Sequence, residues 1–186
     1  MIRRRIALRE SLTADAVLAG RDPSETFAKM LADRSGVVNA ELTVLLTVAE
    51  AVAMLHRTNH WTASSQSYYS DHKLFETLYD GLNEDIDTLA EKIVGLGSDA
   101  GVDVHDRING MAQILSEMYA PHTVGSVSVL AERSLAAEFF LLRIAALAIR
   151  SMKELGSATP GVENMLQQFC DSREEAIFHL RRRTTS

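Results

Sequence analysis

Residues 70–97 read SDHKLFETLYDGLNEDIDTLAEKIVGLG. Within them Leu74, Leu78, Leu82, Ile86, Leu89, Ile93 and Leu96 recur every three or four positions, the pattern of one buried helix face. Gly97 is the residue type that closes a helix. The polar face is patterned too. His72 and Glu76 stand four apart, and so do Asp87 and Glu91, so each pair shares one side of the helix. Asp87 follows Glu76 by eleven positions, about three turns, which puts all four side chains in one stripe roughly 100° wide, away from the apolar side. At about 1.5 Å per residue the two pairs lie more than ~15 Å apart along the axis, so one ion cannot touch both. Two copies of the helix, crossing antiparallel about a two-fold axis, remove the difficulty. The two pairs are mirror images about a point midway between residues 81 and 82, so each pair would face the other pair of the mate. The spacing therefore predicts two equivalent metal sites across a dimer interface. An acidic pair at this spacing is ordinarily a solvated face. The mirrored spacing, and a further histidine at His60, set this one apart.

The rest of the chain predicts a helical frame for that stripe. Three prolines and few aromatics accompany abundant Ala, Leu and Glu, which favours an all-α chain, and 186 residues suffice for one domain with a substantial core. A long helix is expected from about Val37 to His60, with Asn39 or a neighbour as its cap. The short polar stretch 62–67 implies that the next helix, about 70–96, returns antiparallel. A long connection, 98–125, holds a short helix over Asp106–Met118. A third long helix runs from near Ser128 to Leu155 and stops at Gly156. Thr159-Pro160 reads as the cap and first residue of a fourth. Short, long and short connections between four long helices match a ferritin-like four-helix bundle, with one long crossover containing a short extra helix. Residues 1–35 are expected as a peripheral arm, with short helices near Ser11–Ala19 and after Asp22-Pro23. The bundle is expected over 36–183 and a short tail over 184–186.

Charge and cysteine content narrow the function. The net charge is −6, yet Arg3, Arg4, Arg5, Arg9 and Arg181–Arg183 place positive charge at both ends. An acidic body with basic ends suits attraction of cations and is not a general nucleic-acid surface; the terminal arginines read most simply as solvated tails. No stretch reaches the ~20 apolar residues of a membrane span. The basic start lacks the apolar core of a signal peptide. The single cysteine, Cys170, cannot form an internal disulfide, which fits a reducing cytoplasmic home, and its helical stripe predicts an inert core thiol. Two imidazoles and three carboxylates suit iron, manganese or zinc, and the set is too oxygen-rich for a structural zinc site.

From His60-Trp61 through Tyr68-Tyr69, His72, Phe75-Glu76, Leu78-Tyr79, Asp85-Ile86-Asp87 and Ala90-Glu91-Lys92-Ile93 to Leu96-Gly97, the chain resembles the Dps family. These are ferritin-like miniferritins, named for DNA protection during starvation. The family pattern is a His-Trp pair, a His twelve residues later, a carboxylate four beyond, then an Asp and a Glu four apart on the same helix. Each position is matched here, within residues 37–97; elsewhere only helix order and length agree. The resemblance implies a ferroxidase site between subunits, with His60, His72 and Glu76 from one subunit and Asp87 and Glu91 from its two-fold mate. It implies that Fe2+ is oxidised there, typically by hydrogen peroxide. It also implies that ferric mineral is stored in a hollow dodecamer, which protects the cell from oxidative damage. Trp61 is expected either to intercept stray oxidising equivalents or to fill the hairpin end. Three features depart from the family. Glu76 stands where many relatives have Asp, the turn Thr62-Ala63-Ser64-Ser65 lacks the usual glycine, and Glu163 is the one acid kept where relatives line an iron-entry pore.

Two other functions fit parts of the sequence. One is a DNA-compacting, nucleoid-associated shell that grips phosphate through Arg3, Arg4, Arg5 and Arg9. The other is a structural oligomer holding a fixed metal. A site inside one bundle would need Glu-x-x-His motifs on facing helices. None is present, and His56, His105 and His122 are expected at the surface or in packing.

Overall fold

The computed structural model describes the backbone of residues 22–64, 66–118 and 127–184, and the side chains of these except 117, 118 and 127–129. The described residues are all-α. The arginines at 3, 4, 5 and 9, the expected helix near Ser11–Ala19 and His122 lie outside them.

Helix α1 spans Pro23–Ala32, capped as its sequence predicts: Asp22 Oδ1 accepts the Ser24 N–H at 2.9 Å and Pro23 is the first helical residue. Helix α2 spans Ala40–Thr62 and α3 Tyr68–Gly95. A 3-10 turn over Asp99–Val102 leads into α4, Val104–Met118. Helix α5 spans Val127–Glu154 and α6 Pro160–Thr184. At the start of α6 the Thr159 hydroxyl accepts the Val162 N–H at 3.3 Å, the cap read from Thr159-Pro160. Asn39 stands at the N-cap of α2, as expected, but does not cap it in the usual way. It adopts a left-handed backbone, φ 55°, and its side chain makes no capping hydrogen bond.

The four long helices form a ring in which α2 packs on α3 and α5, and α6 packs on α5 and α3. Cross-helix contacts fix the directions. Glu41 meets Ser151 and His56 meets Glu138, so α2 and α5 are antiparallel. Asp71 meets Arg183 and Asp85 meets Arg173, so α3 and α6 are antiparallel. With a short turn joining α2 to α3, helices α3 and α5 must run the same way. The connection between them therefore has to return along the bundle, and α4 does so against α2. Arg107 on α4 holds Glu50 of α2 through two hydrogen bonds. Gly101 permits the close approach: a Cβ there would lie 2.6 Å from Ile93 Cγ2 and 2.7 Å from Thr43 Oγ1.

Helix α2 is covered from several sides, which is why every residue from 40 to 49 is buried. Its Leu42, Leu45, Leu46, Ala49 and Val52 meet Leu82, Leu89 and Ile93 of α3, and Leu141, Ile144 and Ala148 of α5, in one core. Each fully buried leucine or isoleucine contributes about 1.5–3 kcal/mol of transfer free energy. The apolar stripe read from the sequence of α3 faces this interior, joined by Phe75. From Pro23 onward the segment expected as a peripheral arm is itself packed, with Phe27 and Met30 in the same core. Its α1 lies against α2 and α5. No helix among the described residues is long and apolar enough to cross a membrane.

At the end of α3 the Gly97 N–H bonds Val94 O at 2.8 Å and the Ser98 N–H bonds Ile93 O at 3.2 Å. This paired closure requires the left-handed backbone that Gly97 adopts, φ 85°. Gly97→Ala should lower stability by about 1–2 kcal/mol, the strain of a Cβ in that conformation. A lower denaturant midpoint with helix content unchanged is the expected reading; an unchanged midpoint would show that the closure carries no strain.

Candidate metal centre

The α2–α3 hairpin builds the site from its two histidines. His60 lies in the last turns of α2, where a carbonyl has no intrahelical partner. His72 lies on the first turns of α3. His60 Nδ1 lies 2.9 Å from the His72 carbonyl oxygen, and His72 Nδ1 lies 3.1 Å from the His60 carbonyl oxygen. A carbonyl can only accept, so each Nδ1 must carry the proton and donate it. In the neutral imidazole, Nε2 is then the nitrogen with the lone pair, the form that ligates metal. The rings stack with centroids 3.7 Å apart, which sets them side by side. The Tyr79 ring packs edge-on against His60 at 5.3 Å, and Arg57 lies over the same tyrosine.

Glu76 sits one turn beyond His72 and is half-buried. A hydrogen bond from Lys73 holds its carboxyl below the usual carboxylate range, with the Lys73 charge adding to it and partial burial opposing. Asp87 and Glu91 stand on the same stripe three turns along, exposed. The structure thus brings His60 and His72 together, sets Glu76 one turn beyond His72 on the same helix, and leaves Asp87 and Glu91 apart from them. Among the described residues of one chain, no three His, Cys, Asp or Glu side chains gather as a metal site.

Trp61 does not fill the hairpin end. It is 70% exposed beside His60, and Tyr69, at 73%, is its exposed counterpart on α3. Glu163 lies in the first turn of α6, 3.6 Å from Lys153, so the one acid expected near a pore has a cation beside it. His105 is exposed, as expected.

One sequence reading is corrected, and of the surface and packing alternatives for His56 the structure takes packing. The C-terminal arginines are not solvated tails. Arg183 forks onto the buried Asp71 carboxylate, through Nε to Oδ1 and through Nη2 to Oδ2 at 3.1 Å. Arg181 lies over the Phe139 ring at 4.9 Å. The signal in the sequence is Asp71, an acid on the apolar side of α3 next to His72; such an acid needs a cation. His56, in turn, is a fully buried member of an ionic network with Glu138. That pairing joins residues far apart in the chain, and a search for Glu-x-x-His could not find it.

Arg183→Ala should cost on the order of 2–3 kcal/mol, because it leaves the Asp71 carboxylate buried and unpaired next to His72. In a double-mutant cycle Arg183→Ala/Asp71→Ala should be far less damaged than the sum of the singles; full additivity would show that the pair does not couple. Burial first, with Glu174 and Asp171 adding, pushes the Cys170 thiol up to about 11. At pH 8 the thiolate is then about one part in a thousand, so a disulfide reagent should label Cys170 only after unfolding. Rapid labelling of the native protein would contradict that burial.

No protein-family model matches the sequence. No curated protein matches it either. Solved structures do. DpsC from Streptomyces coelicolor superposes with a TM-score of 0.68 at 23% identity, over 78% of this chain and 81% of that one. A Dps protein from Vibrio cholerae, described as a member of a broad superfamily of ferritin-like diiron-carboxylate proteins, gives 0.64 at 18% identity, over 86% and 91%. Dps from Microbacterium arborescens in the high iron form gives 0.65 at 16%, over 78% and 91%. What is shared at these identities is the architecture: the chain has the fold of the Dps proteins.

Proposed function

We propose that this chain is a Dps-like ferroxidase and iron-storage protein. In this reading the metal centre is completed by a second copy, with His60, His72 and Glu76 of one chain facing Asp87 and Glu91 of its two-fold mate. The observation that carries it is the reciprocal histidine pair. Two Nε2 lone pairs beside Glu76 are a set of donors that one chain leaves incomplete, and the missing carboxylates stand mirror-placed on the same helix. Exposed Trp61, Tyr69 and Val94 offer apolar surface around the ligand stripe of the kind that association buries. The shared fold with Dps proteins, one of them solved in a high iron form, agrees with it.

Fe2+ is the substrate. Neutral imidazoles would hold it without adding charge, and the carboxylates would favour the ferric product by matching its higher charge. Lys73 would release Glu76 as iron arrives. With hydrogen peroxide as oxidant, two Fe2+ give up one electron each, and the peroxide takes two electrons and two protons to leave as two waters. The ferric product would pass into a closed shell of copies, a dodecamer in the family's manner. Consuming Fe2+ and peroxide together would limit oxidative damage. Trp61, beside His60, is placed to intercept stray oxidising equivalents.

The test is anaerobic Fe2+ loading followed by peroxide, with ferric absorbance and peroxide loss recorded. Glu91→Ala and His72→Ala should each lose most of the fast oxidation. Co-expressed in equal amounts, the two variants should recover ~25% of the parent rate. Random pairing makes half the dimers mixed, and each mixed dimer keeps one of its two sites whole. Recovery with neither variant active alone is the mark of a shared site. Two inactive variants with no recovery would place the site within one chain, and undiminished single variants would end the ferroxidase reading.

A further inference from the structure

Inside the bundle, away from the hairpin histidines, each of the four long helices sends one ionisable side chain to a common region. They are His56 from α2, Asp85 from α3, Glu138 from α5 and Arg173 from α6. His56 and Glu138 have no exposed surface, and Arg173 is nearly as deeply buried. Glu138 Oε1 lies 2.7 Å from His56 Nε2 and accepts from Arg173 Nη1 at 3.2 Å. Arg173 Nη2 donates to Asp85 Oδ2 at 2.9 Å, so the guanidinium stands between the two carboxylates. Glu138 Oε2 and Arg173 Nε are buried without a hydrogen-bond partner.

This is an unusual use of a core. One buried and one half-buried carboxylate with an imidazole are the donors that suit a divalent first-row ion. With His56 neutral, the cluster carries two negative charges against one positive charge. A divalent ion in place of the guanidinium would bring the sum to zero. No three donors of one chain gather as a metal site among the described residues, as a guanidinium wedged between two of them would require.

We propose that Arg173 is a built-in cation that holds the place of a metal ion inside the bundle. It ties Glu138 to Asp85 and excludes divalent metal from His56, Glu138 and Asp85. Removing it turns those three residues into a metal site. This assignment does not depend on the ferroxidase reading, because it concerns a different set of residues and is read by metal content alone.

The full chain, Arg173→Ala and Arg173→Ala/Glu138→Gln are each equilibrated with the same excess of Co2+ and passed through gel filtration, and bound metal is counted. Arg173→Ala should carry about one more Co2+ per chain than the parent, and the double variant should return to the parent count. A count equal to the parent's would overturn the proposal and leave Arg173 as a structural ion-pair partner. So would an extra ion that survives Glu138→Gln. Arg173→Ala strands the buried Glu138 carboxylate and the half-buried Asp85, so its folding is followed as well. If it is unfolded without metal, added Co2+ should restore its helical circular dichroism, and Glu138→Gln should abolish that rescue. A lack of rescue, or rescue indifferent to Glu138, would overturn the assignment equally.

Discussion

The candidate centre depends on where two imidazole protons go. His60 and His72 each give the Nδ1 proton to the other's backbone carbonyl, across a hairpin whose turn is only a few residues long. One pair of hydrogen bonds does three things. It ties the end of α2 to the start of α3, it satisfies a carbonyl that the end of α2 leaves open, and it fixes both rings in the tautomer that presents Nε2 outward. A side chain with free rotation would lose entropy on taking up a ligand; these rings are already held. The neighbouring Asp71–Arg183 fork reinforces the same corner from the far end of the chain, so the last turn of α6 supports the first turn of α3.

The bundle treats its two sets of carboxylates in opposite ways. Those on the outer stripe of α3, Glu76, Asp87 and Glu91, keep contact with solvent, with only Lys73 set against Glu76. Those turned inward, Asp71, Asp85 and Glu138, are each matched by an arginine from α6. The physical reason is the cost of desolvation. An unpaired carboxylate inside the bundle would cost several kcal/mol, roughly the scale of a whole domain's stability. An outer carboxylate pays little and stays available to a cation from solution. Helix α6 thus carries the positive charge that lets α3 and α5 be acidic inside, while the outer carboxylates of α3 stay in contact with solvent.

Much of this was legible in residue order. Periodicities of three and four located the long helices to within a few residues, because a buried stripe and a terminal glycine are local demands. Thr159-Pro160, Asp22-Pro23 and Gly97 marked their ends by chemistry that needs no partner elsewhere. The length of the connection after α3 revealed the crossover, since a chain returning to start a parallel helix needs that many residues. The ligand stripe of His72, Glu76, Asp87 and Glu91 follows from helical geometry alone.

Other features arise only when distant segments meet. Which proton each hairpin histidine carries depends on a carbonyl twelve residues away, and no spacing rule encodes it. His56 looked like a packing residue because its partners, Ser134 and Glu138, come from another helix. The C-terminal arginines looked like a solvated tail because Asp71 lies more than a hundred positions before them. Phe27 and Met30 looked peripheral because the helices they cover are distant in sequence. The sequence by itself determined what periodicity and local caps control: the helices, their order and the polar stripe of His72, Glu76, Asp87 and Glu91. The tertiary structure alone decided which buried charges are paired and how the imidazoles are held, because both are set by desolvation and hydrogen bonding between groups that meet only after folding.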